Sequence, residues 1–375
     1  MTKSLLTTND DLRVKATPLH ILIIKLSLLI ILVYLFILSI TLLGDSFKLF
    51  GKAFAEKIFH ATSNPIIGLM IGVLSTAIIQ SSSTTTSIIV GLVASGVLPF
   101  RASVPMVMGA NIGTSVTNVL VSLGHISRKD EFRRAFGGSM LHDFFNICSV
   151  IVLLPLQTSF NLIGRSARIF EGVFVGFGGL KFTSPLKAIT KPVAHFIIDL
   201  TNGSGWLSAL IAFIILFIAL HFIVRILKSL VLAKVEKFFQ RYVFRTPVLS
   251  FLLGIILTTL VQSSSITTSI VIPLIGAGVL TINQIYPYYL GANIGTTITA
   301  FLASFVTGSG EAVAVAFAHL TFNIYGIVIF WPLKKIPIWL ATKLSEMTQR
   351  SKLIPILYIL VVFFIIPGLI LFFYD

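Results

Sequence analysis

A four-residue polar run, Gln80-Ser81-Ser82-Ser83, stands inside an apolar stretch and returns 182 positions later as Gln262-Ser263-Ser264-Ser265. The same spacing carries Pro65 onto Pro247, Gly72 onto Gly254 and Gly96 onto Gly278. It also carries Gly109-Ala110-Asn111-Ile112-Gly113-Thr114 onto Gly291-Ala292-Asn293-Ile294-Gly295-Thr296. Self-similarity at a fixed spacing limits the fold before any local pattern does, because both copies must build the same unit. The apolar arms on either side of each polar run are too short to cross a bilayer, which takes about 20 residues. Two short arms joined by a polar break predict a re-entrant helical hairpin over 64–99 and a second over 247–281. Irregular backbone at membrane depth survives only where protein or a wet cavity surrounds it.

Composition supports the bilayer. Of the 375 residues, 56% are hydrophobic and 11% charged, against roughly 25% charged in a soluble domain. Apolar runs predict spans over 19–43, 104–123, 137–162, 206–227, 288–306, 313–333 and 354–373. The first is too long for a signal-peptide core and reads as retained. Residues 45–63 are amphipathic and predict an interfacial helix. The expected fold is an all-α polytopic membrane protein with two inverted-topology repeats, 1–163 and 205–333. Each repeat holds a re-entrant hairpin and a broken span, the break falling at the glycine-rich run of 104–123 or 288–306. An extracytoplasmic linker, 164–204, joins them. Residues 334–375 add a basic cytoplasmic loop and a last span.

The formal charge of +15 does not indicate nucleic acid, because the cations sit in short loops between apolar runs. Lys3, Arg13 and Lys15 mark the N-terminal tail. Arg128, Lys129, Arg133 and Arg134 mark loop 124–136, and Lys234, Lys237, Arg241 and Arg245 mark loop 234–246. Basic loops stay cytoplasmic. A cytoplasmic N-terminus puts every short basic loop inside, loop 307–311 outside and the C-terminus outside. Equivalent loops of the two repeats then fall on opposite sides, as in secondary transporters of an inner (plasma) membrane. Cys148, the single cysteine, lies in an apolar run and forms no internal disulfide.

The chemistry on offer is uncharged. Gln80, Ser81, Ser82, Ser83, Gln262, Ser263, Ser264 and Ser265 supply hydroxyls and amides that both donate and accept. Each polar run also starts a half-helix, whose free N–H groups and positive dipole end favour an anion. These residues are the candidate substrate site; helix–helix adhesion through Ser and Thr is the competing reading. Thr84, Thr85, Asn111, Thr114, Asn118, Thr267, Asn293 and Thr296 offer oxygens of the kind a sodium ion takes. Close helix packing through Gly109, Gly113, Gly291 and Gly295 competes with that reading. His142 with Asn146, and His319 with Asn323, are supporting residues, either a proton relay or a structural hydrogen-bond network. Enzyme chemistry lacks a motif: there is no GxSxG elbow and no HExxH. A channel filter built from polar hairpin tips is the stronger competitor.

At these residues the chain resembles the type II sodium–phosphate cotransporter family. The resemblance rests on the paired QSSS hairpins, the paired GANIGT runs, and Asp130-Glu131-Phe132-Arg133-Arg134-Ala135-Phe136 followed by His142-Asp143-Phe144-Phe145-Asn146. It covers roughly 65–150 and 247–325. It implies sodium-driven uptake of inorganic phosphate, with the two QSSS tips as a shared site and co-transported sodium ions on the surrounding Gln, Ser, Thr and Asn oxygens. Animal members carry a large cysteine-containing outer loop between the repeats. The short 164–204 segment lacks cysteine, as expected of a compact prokaryotic member. The expected partners are therefore phosphate, sodium and the lipid bilayer. The expected site has no resident Lys or Arg, so sodium would offset the cost of bringing phosphate into a low-dielectric place. Alternatives are a sodium-coupled carrier of another oxyanion such as sulfate, and a passive anion channel.

Overall fold

Prolines open both hairpins. Pro65 and Pro247 each occupy the first turn of a helix, where the missing N–H would have had no intrahelical partner. The computed structural model describes the backbone of residues 18–177, 184–242 and 246–374. Lys3, Arg13, Lys15 and Arg245 lie outside the described residues, as do the side chains of 184–187 and 231–242, with Lys234, Lys237 and Arg241 among them. From the N-terminus the helices are α1 (Leu19–Leu49), α2 (Gly51–Thr62), α3 (Pro65–Ile79), α4 (Ser82–Ala94), α5 (Phe100–Gly113), α6 (Val116–Leu123), α7 (Lys129–Phe160) and α8 (Leu162–Gly176). They continue as α9 (Ser184–Leu200), α10 (Gly205–Tyr242), α11 (Pro247–Val261), α12 (Ser264–Gly276), α13 (Ile282–Thr307), α14 (Gly310–Phe330) and α15 (Lys335–Met347). The last, α16, runs Ile354–Phe372 with a π-helical turn over Leu360–Ile365.

Seven of these helices, counting α5 with α6 as one span, are long and apolar enough to cross a membrane. They cover the seven stretches expected from hydropathy. The pairs α3–α4 and α11–α12 occupy the two hairpin positions, each with arms of 15 and 13 residues. Helix α2 meets α3 at a bend of 100°, so the amphipathic segment turns away from the hairpin arm.

Some boundaries differ from expectation. Loop 124–136 gives way to α7 at Lys129, whose first turn carries Asp130 and Glu131 and so favours the positive helix end. The described parts of the expected linker 164–204 are helical and packed against the repeats. Helix α8 stacks Phe174 on Phe305 and Phe170 on Phe317, and α9 bonds Thr190 to Thr41 of α1 at 3.0 Å. The expected basic loop 334–352 folds mostly as α15, and the helix that holds the span expected over 206–227 runs on to Tyr242, its apolar stretch ending at Leu230.

The larger correction concerns the glycine runs. In the first repeat the helix is interrupted at Thr114 and Ser115, between α5 and α6. In the second, 288–306 lies inside the uninterrupted α13, so that broken span is absent. The glycines serve close approach instead. A Cβ on Gly109 would stand 2.0 Å from the Leu69 carbonyl oxygen, and one on Gly72 2.0 Å from that of Met106. The second repeat repeats the contact, with Gly291 against Phe251 at 2.0 Å and Gly254 against Tyr288 at 2.1 Å. Backbone thus packs on backbone where α3 crosses α5 and where α11 crosses α13, which only small residues permit.

Helix α7 shows how the hairpins enter. Near its start, Arg134 Nε donates to the Gly276 carbonyl at 2.9 Å, at the base of α12. Near its end, Gln157 and Thr158 share a cavity with Pro65 and Pro99, the base of the first hairpin. At about 1.5 Å of rise per residue the two bases lie roughly 35 Å apart along α7. The hairpins therefore come in from opposite ends of the bundle.

Candidate functional site

Each hairpin turns through one left-handed glutamine. Gln80 has φ 58° and Gln262 φ 57°, a conformation costing a non-glycine residue on the order of 1 kcal/mol. The side chains show what holds it. Gln80 donates to the Ala77 carbonyl, and its Oε1 accepts from Thr117 Oγ1 at 2.9 Å. Gln262 donates to the Thr259 carbonyl at 2.5 Å and accepts from Thr299 Oγ1 at 2.8 Å. Thr117 and Thr299 are themselves 182 residues apart, so the arrangement is duplicated down to its second partner. Both glutamines therefore brace the tips more than they present free groups.

The next residue caps the new helix. Ser81 Oγ accepts from the Thr84 N–H at 3.2 Å and the Thr84 hydroxyl at 2.8 Å. Ser263 Oγ accepts from the Ile266 N–H at 3.4 Å. Serine at an N-cap satisfies one of the free first-turn donors and leaves others pointing outward.

The two tips meet. Ser83 Oγ reaches the Gln262 carbonyl at 3.5 Å and Thr299 Oγ1 at 3.4 Å. Together they line one cavity of about 650 Å³. Gln80, Ser81, Ser83 and Thr84 come from the first tip, and Gln262, Ser263, Ser265 and Ile266 from the second. Ser82 and Ser264, expected in the site, do not line it; each is buried at the start of its helix. The far wall belongs to α10, with Phe217, Leu220, His221, Val224, Arg225 and Lys228. This overturns the expectation of a site with no resident Lys or Arg. Residues 221, 225 and 228 share one helix face, and that spacing was visible in the sequence as a polar stripe inside an apolar span.

Three of the eight residues expected to hold sodium, Asn111, Asn118 and Asn293, instead take part in buried polar contacts between the repeats. His142 Nε2 and Asn293 Oδ1 are 2.6 Å apart, and Asn293 Nδ2 donates to Asn146 Oδ1 at 2.9 Å. Asn146 Nδ2 donates to the Asn111 carbonyl at 3.1 Å, and His319 Nε2 lies 3.3 Å from Asn111 Oδ1. Asn323 Nδ2 donates to the His319 carbonyl at 3.0 Å. Each glycine-run asparagine thus pairs with the other repeat's histidine. Asn118 Oδ1 accepts from Thr268 and Ser269, both at 3.0 Å, also across repeats. Thr114 and Thr296 bond back to the Ala110 and Ala292 carbonyls at 3.0 and 2.9 Å. Thr85 bonds the Ser81 carbonyl at 3.1 Å, and Thr267 pairs with Thr258 at 2.8 Å. Of the expected sodium ligands, only Thr84 lines the cavity.

A model of the Na+/Pi-cotransporter family matches residues 35–183 and 203–349. Human sodium-dependent phosphate transport protein 2B is 31% identical over 425 aligned positions, which take in 87% of this chain and 62% of the relative. The sheep (Ovis aries) protein 2A is 32% identical over 413 positions, 88% of this chain and 64% of the relative. Bovine (Bos taurus) protein 2B is 33% identical, covering 87% and 61%. The chain thus spans less than two thirds of the length of these relatives. No solved structure matches it.

Proposed function

The chain belongs to the Na+/Pi-cotransporter family, and on that premise we propose that it is a secondary transporter coupling inward sodium flux to uptake of inorganic phosphate. The relatives it resembles are named for sodium-dependent phosphate transport. The observation that carries the reading is the single cavity between two hairpin tips that enter from opposite ends of the bundle. Phosphate lies there against the hydroxyls of Ser81, Ser83, Ser263 and Ser265 and the free N–H groups at the starts of α4 and α12. Two positive helix ends and neutral donors suit an oxyanion. Sodium takes tip oxygens, Thr84 first among them, and its charge lowers the cost of desolvating phosphate. The buried histidine–asparagine network fastens the repeats to each other, so that rocking occurs around it and exposes the cavity alternately to the two sides.

In this reading the protein lies in the plasma membrane with its N-terminus in the cytoplasm and its C-terminus outside. Hairpin 64–99 opens to the outer solution and hairpin 247–281 to the inner one. The test is uptake of radiolabelled phosphate into proteoliposomes under an inward sodium or an inward potassium gradient. Accumulation above equilibrium with sodium only is the expected result, and unlabelled sulfate should compete poorly. Equilibration without a sodium requirement would replace the carrier with a channel. Equal competition by sulfate would change the named substrate.

A further inference from the structure

We propose that Arg225 and Lys228 of α10 form a second, one-sided anion station in the wall of the tip cavity. It holds a phosphate group between the serine tips and the solution on the side toward which α10 continues. The inference rests on the transport reading above and names residues that reading does not use.

His221, Arg225 and Lys228 stand at i, i+4 and i+7, a stripe about 10 Å long on one helix face. All three line the same cavity as the serine tips. Among the described residues neither cation has a carboxylate within ion-pair distance; the ion pairs that exist involve Lys48, His125, Arg128, Arg168 and Lys343. A cation within an apolar span is expensive and persists where water or an anion reaches it. Both stand close to the end of the apolar stretch Gly205–Leu230, and both line the cavity instead of pairing with a carboxylate.

The station belongs to one end of the molecule. Trp206, at the start of α10, packs on Phe50 and Phe54, and the adjoining Ala55, Glu56 and Phe59 reach the base of the first hairpin. Arg225 lies about 30 Å further along α10, roughly the thickness of the hydrocarbon core. It is therefore near the end from which the second hairpin enters. The first repeat has no counterpart. The residues 182 positions earlier are Ser39, Leu43 and Ser46 of α1, all buried. There Leu43 closes against α4, 3.4 Å from where a Cβ on Gly91 would stand. The equivalent stretch of α1 is thus packed against the body of α4, whereas α10 walls the cavity with cations. By the positive-inside rule the cationic side is the cytoplasm, so the station acts on phosphate leaving the site or rebinding from within.

Two measurements test this together. The first is equilibrium binding of radiolabelled phosphate to purified protein in nanodiscs of neutral lipid, with and without added anionic lipid. Arg225→Gln with Lys228→Gln should weaken binding roughly tenfold, the loss expected when a charge-assisted hydrogen bond goes; Arg225→Lys alone should retain most of it. The second is sodium-dependent phosphate flux in right-side-out and inside-out vesicles. The double variant should raise the half-saturation for phosphate at the cytoplasmic face and leave the outer face within about twofold, a change small against a factor of ten. Unchanged binding, equal effects at both faces, or loss of the binding difference when anionic lipid is present would overturn the proposal; the last would make the station a lipid-headgroup site. Sodium-independent flux in the unaltered protein would instead sink the coupled-carrier reading, and the binding arm would still decide the station.

Discussion

A duplicated serine triplet does not make three equivalent serines. Ser81 and Ser263 cap helices, Ser83 and Ser265 face the cavity, and Ser82 and Ser264 are turned into the bundle. The distinction follows from helical geometry, since successive residues of a new helix point about 100° apart. Ser83→Ala combined with Ser265→Ala should therefore raise the phosphate half-saturation at least tenfold in proteoliposome uptake, at about 1.5 kcal/mol or more for hydrogen bonds to a charged group. Ser82→Ala combined with Ser264→Ala removes hydroxyls that do not reach the cavity and should change it by about twofold or less, as substitutions away from a site do. Equal effects from the two pairs would mean that phosphate does not sit where the cavity is. The tip glutamines belong to a different class. Both amide ends of Gln80 and Gln262 are held by protein, so their removal loosens the left-handed turn itself.

At the scale of elements, the seven spans and both hairpins were legible because hydropathy and the 182-residue repeat act over long windows. The hairpin tips were legible too, since polar residues at membrane depth have few uses. The glycine runs are less decisive in sequence. A Gly-x-x-x-Gly spacing permits either unwinding or close packing, and only the partner helix decides between them. Here α3 and α11 supply that partner, and carbonyls crowd the space above Gly109 and Gly291. Gly109→Ala should accordingly cost about 1–3 kcal/mol through overpacking and show as a lower melting temperature and reduced yield of folded protein. Gly44→Ala, where nothing stands within 4 Å, should leave stability unchanged or slightly raised, since Ala is the better helix former. Similar behaviour of the two variants would mean that the glycine runs are not packing devices. The asparagines of those runs misled for a related reason. Their oxygens look free in sequence, but His142 and His319 from distant helices claim them.

For the whole molecule, internal symmetry and its failures are equally informative. The tips, their bracing threonines and the glycine crossings repeat, whereas the cationic wall of α10 and the interruption between α5 and α6 do not. A pair of units related by inversion can present one site to two solutions in turn, and a feature present in only one unit gives those solutions unequal access. The inversion itself can be tested directly, because the native Cys148 is buried and gives little background to a thiol reagent. Ser63 and Pro247 are exposed at the bases of the first and second hairpins. In right-side-out vesicles a membrane-impermeant maleimide should label Ser63→Cys and spare Pro247→Cys; in inside-out vesicles the pattern should reverse. Labelling of both from one side would put the two bases on the same face of the membrane. The roughly 35 Å separating them along α7 would then have to lie in the plane of the membrane instead of across it, and the alternating-access scheme would lose its geometric basis.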